Sequence, residues 1–133
     1  MGTAVSKPKS GSRKKAKSQV SRGIVNVRST FNNTIVTITD EHGNPLAQSS
    51  AGACGNKGSR KGTPYAAGMA ARDAGNKVKE RGLLSIIIKL VGPGAGKDSV
   101  VRMLYEMGFE ITALIEKTRV PHNGCRPPKR RRV

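Results

Sequence analysis

Apolar residues recur at two different periods along this chain, and the changes of period outline its elements. Ile24-Val25-Asn26-Val27 is a short β-rich run, and Thr34-Ile35-Val36-Thr37-Ile38-Thr39 alternates Ile or Val with Thr as a half-buried strand does. Ser29 to Asn33 turns between them. Asp40-Glu41-His42-Gly43-Asn44-Pro45 is a second turn with breaker chemistry, and Leu46 to Ser49 continues an antiparallel meander. The period then becomes helical. Thr63 reads as an N-cap with Pro64 at the first helical position. Ala66, Ala70 and Ala74 follow at four-residue spacing, flanked by Ala67, Ala71 and Val78, a narrow face suited to close packing on a sheet. Gly82 marks the stop. Ser85 to Val91 reads as a central strand, apolar on both faces. After the tight loop Gly92-Pro93-Gly94-Ala95-Gly96, Lys97 to Met107 is a second helix with Val100, Val101, Leu104 and Met107 inward. Ile111 to Ile115 is a last buried strand.

Strand–helix–strand order at the end implies parallel neighbours joined by a crossover. The expected fold is α/β, a mixed five-stranded sheet with at least two helices against it. Residues 1–22 are low-complexity Lys, Ser, Arg and Gly without either period, and are expected to form a disordered basic arm. The core is expected over 23–117 and an extended basic tail over 118–133.

Charge changes this picture most. The net charge of the 133 residues is +17, and it sits at the two ends. Residues 1–28 hold eight cations and residues 117–133 hold seven, with no acid in either stretch, while all eight acids lie between. Two prolines, Pro127 and Pro128, stiffen a tail that carries Arg126, Lys129, Arg130, Arg131 and Arg132. Such segments repel themselves and need a polyanion, for which nucleic acid is the leading candidate. A membrane is a poorer one. No amphipathic helix, lipidation signal or apolar run of ~20 residues accompanies the arms. Residues 1–23 lack the apolar stretch of a secretory signal, and as a transit peptide they are too Lys-rich. Cys54 and Cys125 are expected to be reduced thiols.

Enzyme and metal chemistry find little support. In a Walker loop the first Gly would fall at Val91, and Asp98 stands where Ser or Thr should bind magnesium; a dinucleotide loop would need Gly where Lys97 stands. The Gly92–Gly96 loop is left as a helix N-terminus with Lys97 beside it, either a site for one backbone phosphate at Gly94 and Lys97 or simply a tight turn. His122 and Cys125 are too few to hold a metal, no acid cluster suggests a nuclease, and no cofactor is expected. Lys57, Ser59, Arg60 and Lys61 stand among Gly52, Gly55, Gly58 and Gly62 in what reads as a flexible cationic loop, where backbone amides and the Arg fork can meet a phosphodiester. Asn32 and Asn33 sit at a hairpin tip, as readers of base edges or ribose hydroxyls or as ordinary turn residues. Of the four aromatics, Tyr65 and Tyr105 are expected to pack within helices. Stacking is thus poorly supplied, and recognition should rest on phosphates, shape and 2′-hydroxyls.

Five motifs in order carry a family resemblance: Phe31-Asn-Asn-Thr-Ile-Val-Thr-Ile-Thr-Asp40, Lys57-Gly-Ser-Arg-Lys61, Thr63-Pro-Tyr-Ala-Ala67, Gly92-Pro-Gly94 and Pro121-His-Asn-Gly-Cys-Arg-Pro-Pro-Lys129. Over about residues 23–133 the chain resembles the family of the eleventh protein of the small ribosomal subunit, in its bacterial type. The resemblance implies a ribonuclease-H-like fold without nuclease chemistry, and a structural protein of the platform. It implies binding to small-subunit ribosomal RNA, bridging of RNA helices, and a share in the cleft that holds messenger RNA at the Shine-Dalgarno pairing. Its implied neighbours are the seventh and eighteenth small-subunit proteins, with initiation factor three nearby, in a cytoplasmic or organellar ribosome. The candidate RNA contacts are Lys14, Lys15, Asn32, Asn33, Lys57, Ser59, Arg60, Lys61, Gly94, Lys97, His122, Asn123, Arg126, Lys129, Arg130, Arg131 and Arg132. Asn123, followed by Gly124, is also a candidate isoaspartate site, since Gly leaves its amide nitrogen open to attack on the Asn side chain. Asn56 departs from the family's usual aromatic, Gly62 from a common Ser, and Lys97-Asp98 from a common Arg-Glu. The alternative function is a basic RNA chaperone or assembly factor loosely bound to ribosomes.

Overall fold

The computed structural model of the protein describes residues 20–132. The strands are β1 (Arg22–Ser29), β2 (Thr34–Asp40), β3 (Pro45–Ser50), β4 (Ser85–Val91) and β5 (Glu110–Glu116), and the helices are α1 (Pro64–Lys79) and α2 (Lys97–Glu106). The sheet order is β3-β2-β1-β4-β5. β1 pairs antiparallel with β2, and β2 with β3; β4 runs parallel to both β1 and β5. This is the expected mixed five-stranded sheet with two helices. Lys14 and Lys15 and most of the basic arm lie outside the described residues. Val20 to Arg22, assigned to that arm, belong to the body: Val20 packs against the core and its amide donates to Arg81 O, while Arg22 opens β1.

Period-2 patterning decides which side of the sheet is buried. Val25, Val27, Val36, Ile38, Ile86, Ile88 and Leu90 turn to one face, where α1 and α2 cover them. α1 presents Ala67, Ala70, Ala71, Ala74 and Val78, all fully buried. Small side chains let the helix axis come close to the sheet. Gly75 does the same toward α2, where Met107 fills the space a Cβ would need. α2 contributes Val100 and Leu104, each worth roughly 1.5–3 kcal/mol on full burial. Thr63 caps α1, its hydroxyl accepting from Ala66 N at 3.3 Å. α1 ends at Lys79, ahead of the expected stop, and Gly82 follows in the turn with φ of +75°.

Four expectations need correcting. β4 is not buried on both faces: Ile87, Lys89 and Val91 are only half-buried, because no helix among the described residues lies on their side. β5 is an exposed edge strand, with Leu114 55% accessible, because the helices lie chiefly over β1, β2 and β3. Tyr65 and Tyr105 do not pack; they are 76% and 73% accessible, facing outward from their helices. The segment 52–62, expected as a flexible loop, has regular local structure, since turns over 51–55 lead into a 3-10 helix, Gly58–Gly62.

Candidate nucleic-acid interface

One end of the sheet collects segments that are far apart in sequence. β1 leaves the sheet there at Ser29, β4 at Val91 and β5 at Glu116. Thr30 N donates to Asn33 O at 2.8 Å, and Asn33 N donates to Thr30 Oγ1 at 3.1 Å, closing the β1–β2 turn. Gly94 N donates to Ser29 O at 3.0 Å, docking the 92–96 loop on that turn. The approach is close: a Cβ at Gly94 would lie 2.2 Å from Ser29 Oγ and 2.5 Å from Thr30 O. Behind them Ser29 Oγ and Thr34 Oγ1 share a buried hydrogen bond of 3.2 Å. The 3-10 helix joins the same cluster, for a Cβ at Gly62 would lie 2.2 Å from Phe31 O. Gly62 is therefore a contact residue with no room for a larger side chain, where the sequence suggested a flexible one. The tail starts here too: Thr118 Oγ1 accepts from Gly92 N at 3.1 Å, and Lys117 N donates to Leu90 O at 2.8 Å.

This convergence gives the end its electrostatics. Both helices begin at it, α1 after Gly62-Thr63 and α2 directly after Gly96, so two positive dipole ends share one surface, and the first N–H groups of α2 have no side-chain cap, whereas Thr63 caps α1. The first turn of α1 holds no acid and that of α2 holds Asp98. Lys57, Ser59 and Arg60 are exposed and Lys61 is half-buried. Asn32 is exposed. Asn33 is half-buried, and its Oδ1 accepts from Thr34 N at 2.9 Å, so its carbonyl end builds the turn. Phe31, 77% accessible, stands beside them.

Other candidates are committed within the body. Gly94 is buried and reaches the surface only through its neighbours. Lys97 Nζ lies 3.2 Å from Glu116 Oε1, so a phosphate at Lys97 would compete with an ion pair. The Thr118 hydroxyl also bonds Glu116 and is the main cause, ahead of the Lys97 ammonium, holding that carboxyl below its ordinary range. Asn56 closes the 51–55 turn, its Nδ2 donating to Ala51 O at 3.1 Å.

Beyond Thr118 every described residue is exposed, and none forms a hydrogen bond or ion pair among the described residues. His122, Asn123, Arg126, Lys129, Arg130, Arg131 and Arg132 all lie on this strand-free segment. Asn123 has φ of +60°, a left-handed turn beside Gly124. Among the described residues no three His, Cys, Asp or Glu side chains gather as a metal site, no helix is long and apolar enough to cross a membrane, and both cysteines are free.

Two surfaces escaped the sequence reading. One is a groove of about 590 Å³ along α1 and α2, lined among others by Tyr65, Met69, Arg72, Arg102 and Met103. The other is the uncovered face of the sheet, where Arg28, Lys89 and Lys117 emerge. Strict alternation in β1 and β4 already put Arg28 and Lys89 opposite the apolar face, which was the available signal.

A family model described as ribosomal protein S11 matches residues 23–132 of the chain.

Proposed function

The chain belongs to the ribosomal protein S11 family, and from that premise we propose that it binds ribosomal RNA on the platform of the small subunit through its loop end and its tail. Members of the family are structural, non-enzymatic proteins of the small ribosomal subunit, acting in translation as part of that ribonucleoprotein. The finer reading rests on one observation above all. Five cations from Arg126 to Arg132 stand exposed with no partner among the described residues, beyond a folded body whose loop end is also cationic. Body and tail can then neutralise phosphates of separate RNA helices that would otherwise repel each other, releasing counterions from each.

In this reading Lys57, Ser59, Arg60 and Lys61 meet one backbone beside the N-terminus of α1. Asn32 offers an amide to a ribose or a base edge. His122, Asn123 and the Arg126–Arg132 cations thread further, and the Pro121–Lys129 motif supports the bacterial type. Lys14 and Lys15 add a second arm. The platform position carries with it a share in the messenger-holding cleft and initiation factor three nearby. The groove with Tyr65, Met69, Arg72 and Arg102 has the composition of a protein interface, which suits the seventh or eighteenth protein as a neighbour. Asn123-Gly124 remains a candidate for isoaspartate formation; peptide mapping of aged protein should find the isomer, and only intact Asn would remove the proposal.

Sedimentation tests the whole. On a sucrose gradient the protein should migrate with the small subunit and stay there through a high-salt wash. Migration at the top, or loss at modest salt, would instead make it a loosely bound chaperone or assembly factor.

A further inference from the structure

The face of the sheet that carries no helix has an order of its own. Pairing sets Arg28 beside Val91 on one side and Ile35 on the other. The next row runs Gln48, Thr37, Asn26, Lys89, Ile115 across all five strands. Lys117 and Arg119 follow directly as β5 ends, and with Arg28, Asn26 and Gln48 they line a shallow depression of about 670 Å³. Glu41 and Glu110 belong to the opposite end of the strands, where Arg22 and Ser85 meet them. The cationic end of the face therefore has no acid among its lining residues.

The side chains of Arg28, Asn26, Thr37, Gln48 and Arg119 form no hydrogen bond or ion pair among the described residues, and that of Lys117 meets only the like-charged Lys89. The face also carries no aromatic side chain, so bases have nothing to stack on. We infer that this open face is a second RNA surface, on which the sugar–phosphate backbone of an RNA helix lies, with Arg28, Lys89, Lys117 and Arg119 at its phosphates and Asn26 and Gln48 within reach of 2′-hydroxyls. This rests on the RNA-binding reading above and extends it to a face that neither the loop end nor the tail includes. The Lys117 ammonium beside it holds the Lys89 amine below its ordinary value, a repulsion that a phosphate between the two would relieve.

Amine-reactive labelling of the full chain, read by mass spectrometry, tests this with small-subunit ribosomal RNA as the probe. Lys89 and Lys117 should lose reactivity on RNA binding, as Lys129 in the tail does, while Lys79 on α1 stays reactive. In the full chain, Lys89→Gln with Lys117→Gln should lower the salt slope of RNA affinity by about 1.4–1.8, making the affinity loss between about 50 and 200 mM salt roughly tenfold smaller. Protection of Lys129 with unchanged Lys89 and Lys117 would overturn the second surface and leave the tail reading intact. Protection of none would overturn both. Protection that appears in the assembled subunit but not with RNA alone would hand the face to a protein neighbour and overturn the inference.

Discussion

The two faces of the sheet are built from the same strands and do unlike work. In β4, Ile86, Ile88 and Leu90 disappear under helices, while Ile87, Lys89 and Val91 stay half-open on the other side. In β1, Val25 and Val27 are buried and Asn26 and Arg28 are exposed. One face is sealed by apolar contact and holds the body together. The other keeps polar side chains, Asn26, Arg28, Thr37 and Gln48, that form no hydrogen bond or ion pair among the described residues. A residue's parity along the strand therefore decides whether changing it should be felt as lost stability or as lost recognition.

That contrast breaks most easily at Leu104, which is fully buried where α2 meets the core. Leu104→Ala should cost about 2–5 kcal/mol and lower Tm by roughly 10 °C or more. Thr37→Ala, on the open face, should stay within about 0.5 kcal/mol. Thermal melts of the two variants check the pair; equal losses would mean that the open face is part of the packing after all. The tail sharpens the contrast from the other side. Deleting residues 126–133 removes five cations and no described contact. The salt slope of RNA affinity should fall by about 3.5–4.5, on the order of a hundredfold in sensitivity between about 50 and 200 mM, while Tm is unchanged. A wild-type slope after deletion would sink the proposed role of the tail.

Gly94 is where the faces meet the loops. Its missing side chain lets the 92–96 loop lie against Ser29 and Thr30. Gly94→Ala pushes a methyl into backbone and should cost about 1–3 kcal/mol, with RNA affinity reduced alongside because two segments of the loop end lose their register. A stable variant with normal affinity would show that this junction yields freely.

Much of this was legible in the sequence because alternation and caps are local. The Ile/Val–Thr alternation gave β2, and Thr63-Pro64 gave the start of α1. What was not legible depends on neighbours that no local pattern names. The run Ile111–Ile115 reads as buried, and only the strand order reveals it at an edge with Leu114 exposed. Tyr65 and Tyr105 read as packed, but helix phase relative to the Ala67–Ala70–Ala71–Ala74 face turns them outward. The cationic residues of 57–61 were visible as composition. Their meeting with the 30–33 turn, the 92–96 loop and Thr118 is a property of the sheet, since three strands happen to end at the same edge.

The smallest effect lies at the base of the tail. Glu116 is bonded by the Thr118 hydroxyl and paired with Lys97, and its folded-state pKa lies below the ordinary 4.5. A carboxyl depressed in the folded state contributes fully above its unfolded value and loses that contribution as pH falls through the folded one. The anchor should thus be intact at neutral pH and weaken only below about 4.5. Hydrogen exchange at the Gly92 and Lys117 amides, corrected for intrinsic rate, should accelerate over that range. Glu116→Gln should show the faster exchange at every pH, and an unchanged pH profile would mean that Glu116 does not hold the tail. The variant removes an acid and no cation, so its salt slope for RNA should match the parent. A steeper slope would mean that Lys97, released from Glu116, has taken a phosphate of its own, since each new phosphate contact adds about 0.7–0.9 to the slope.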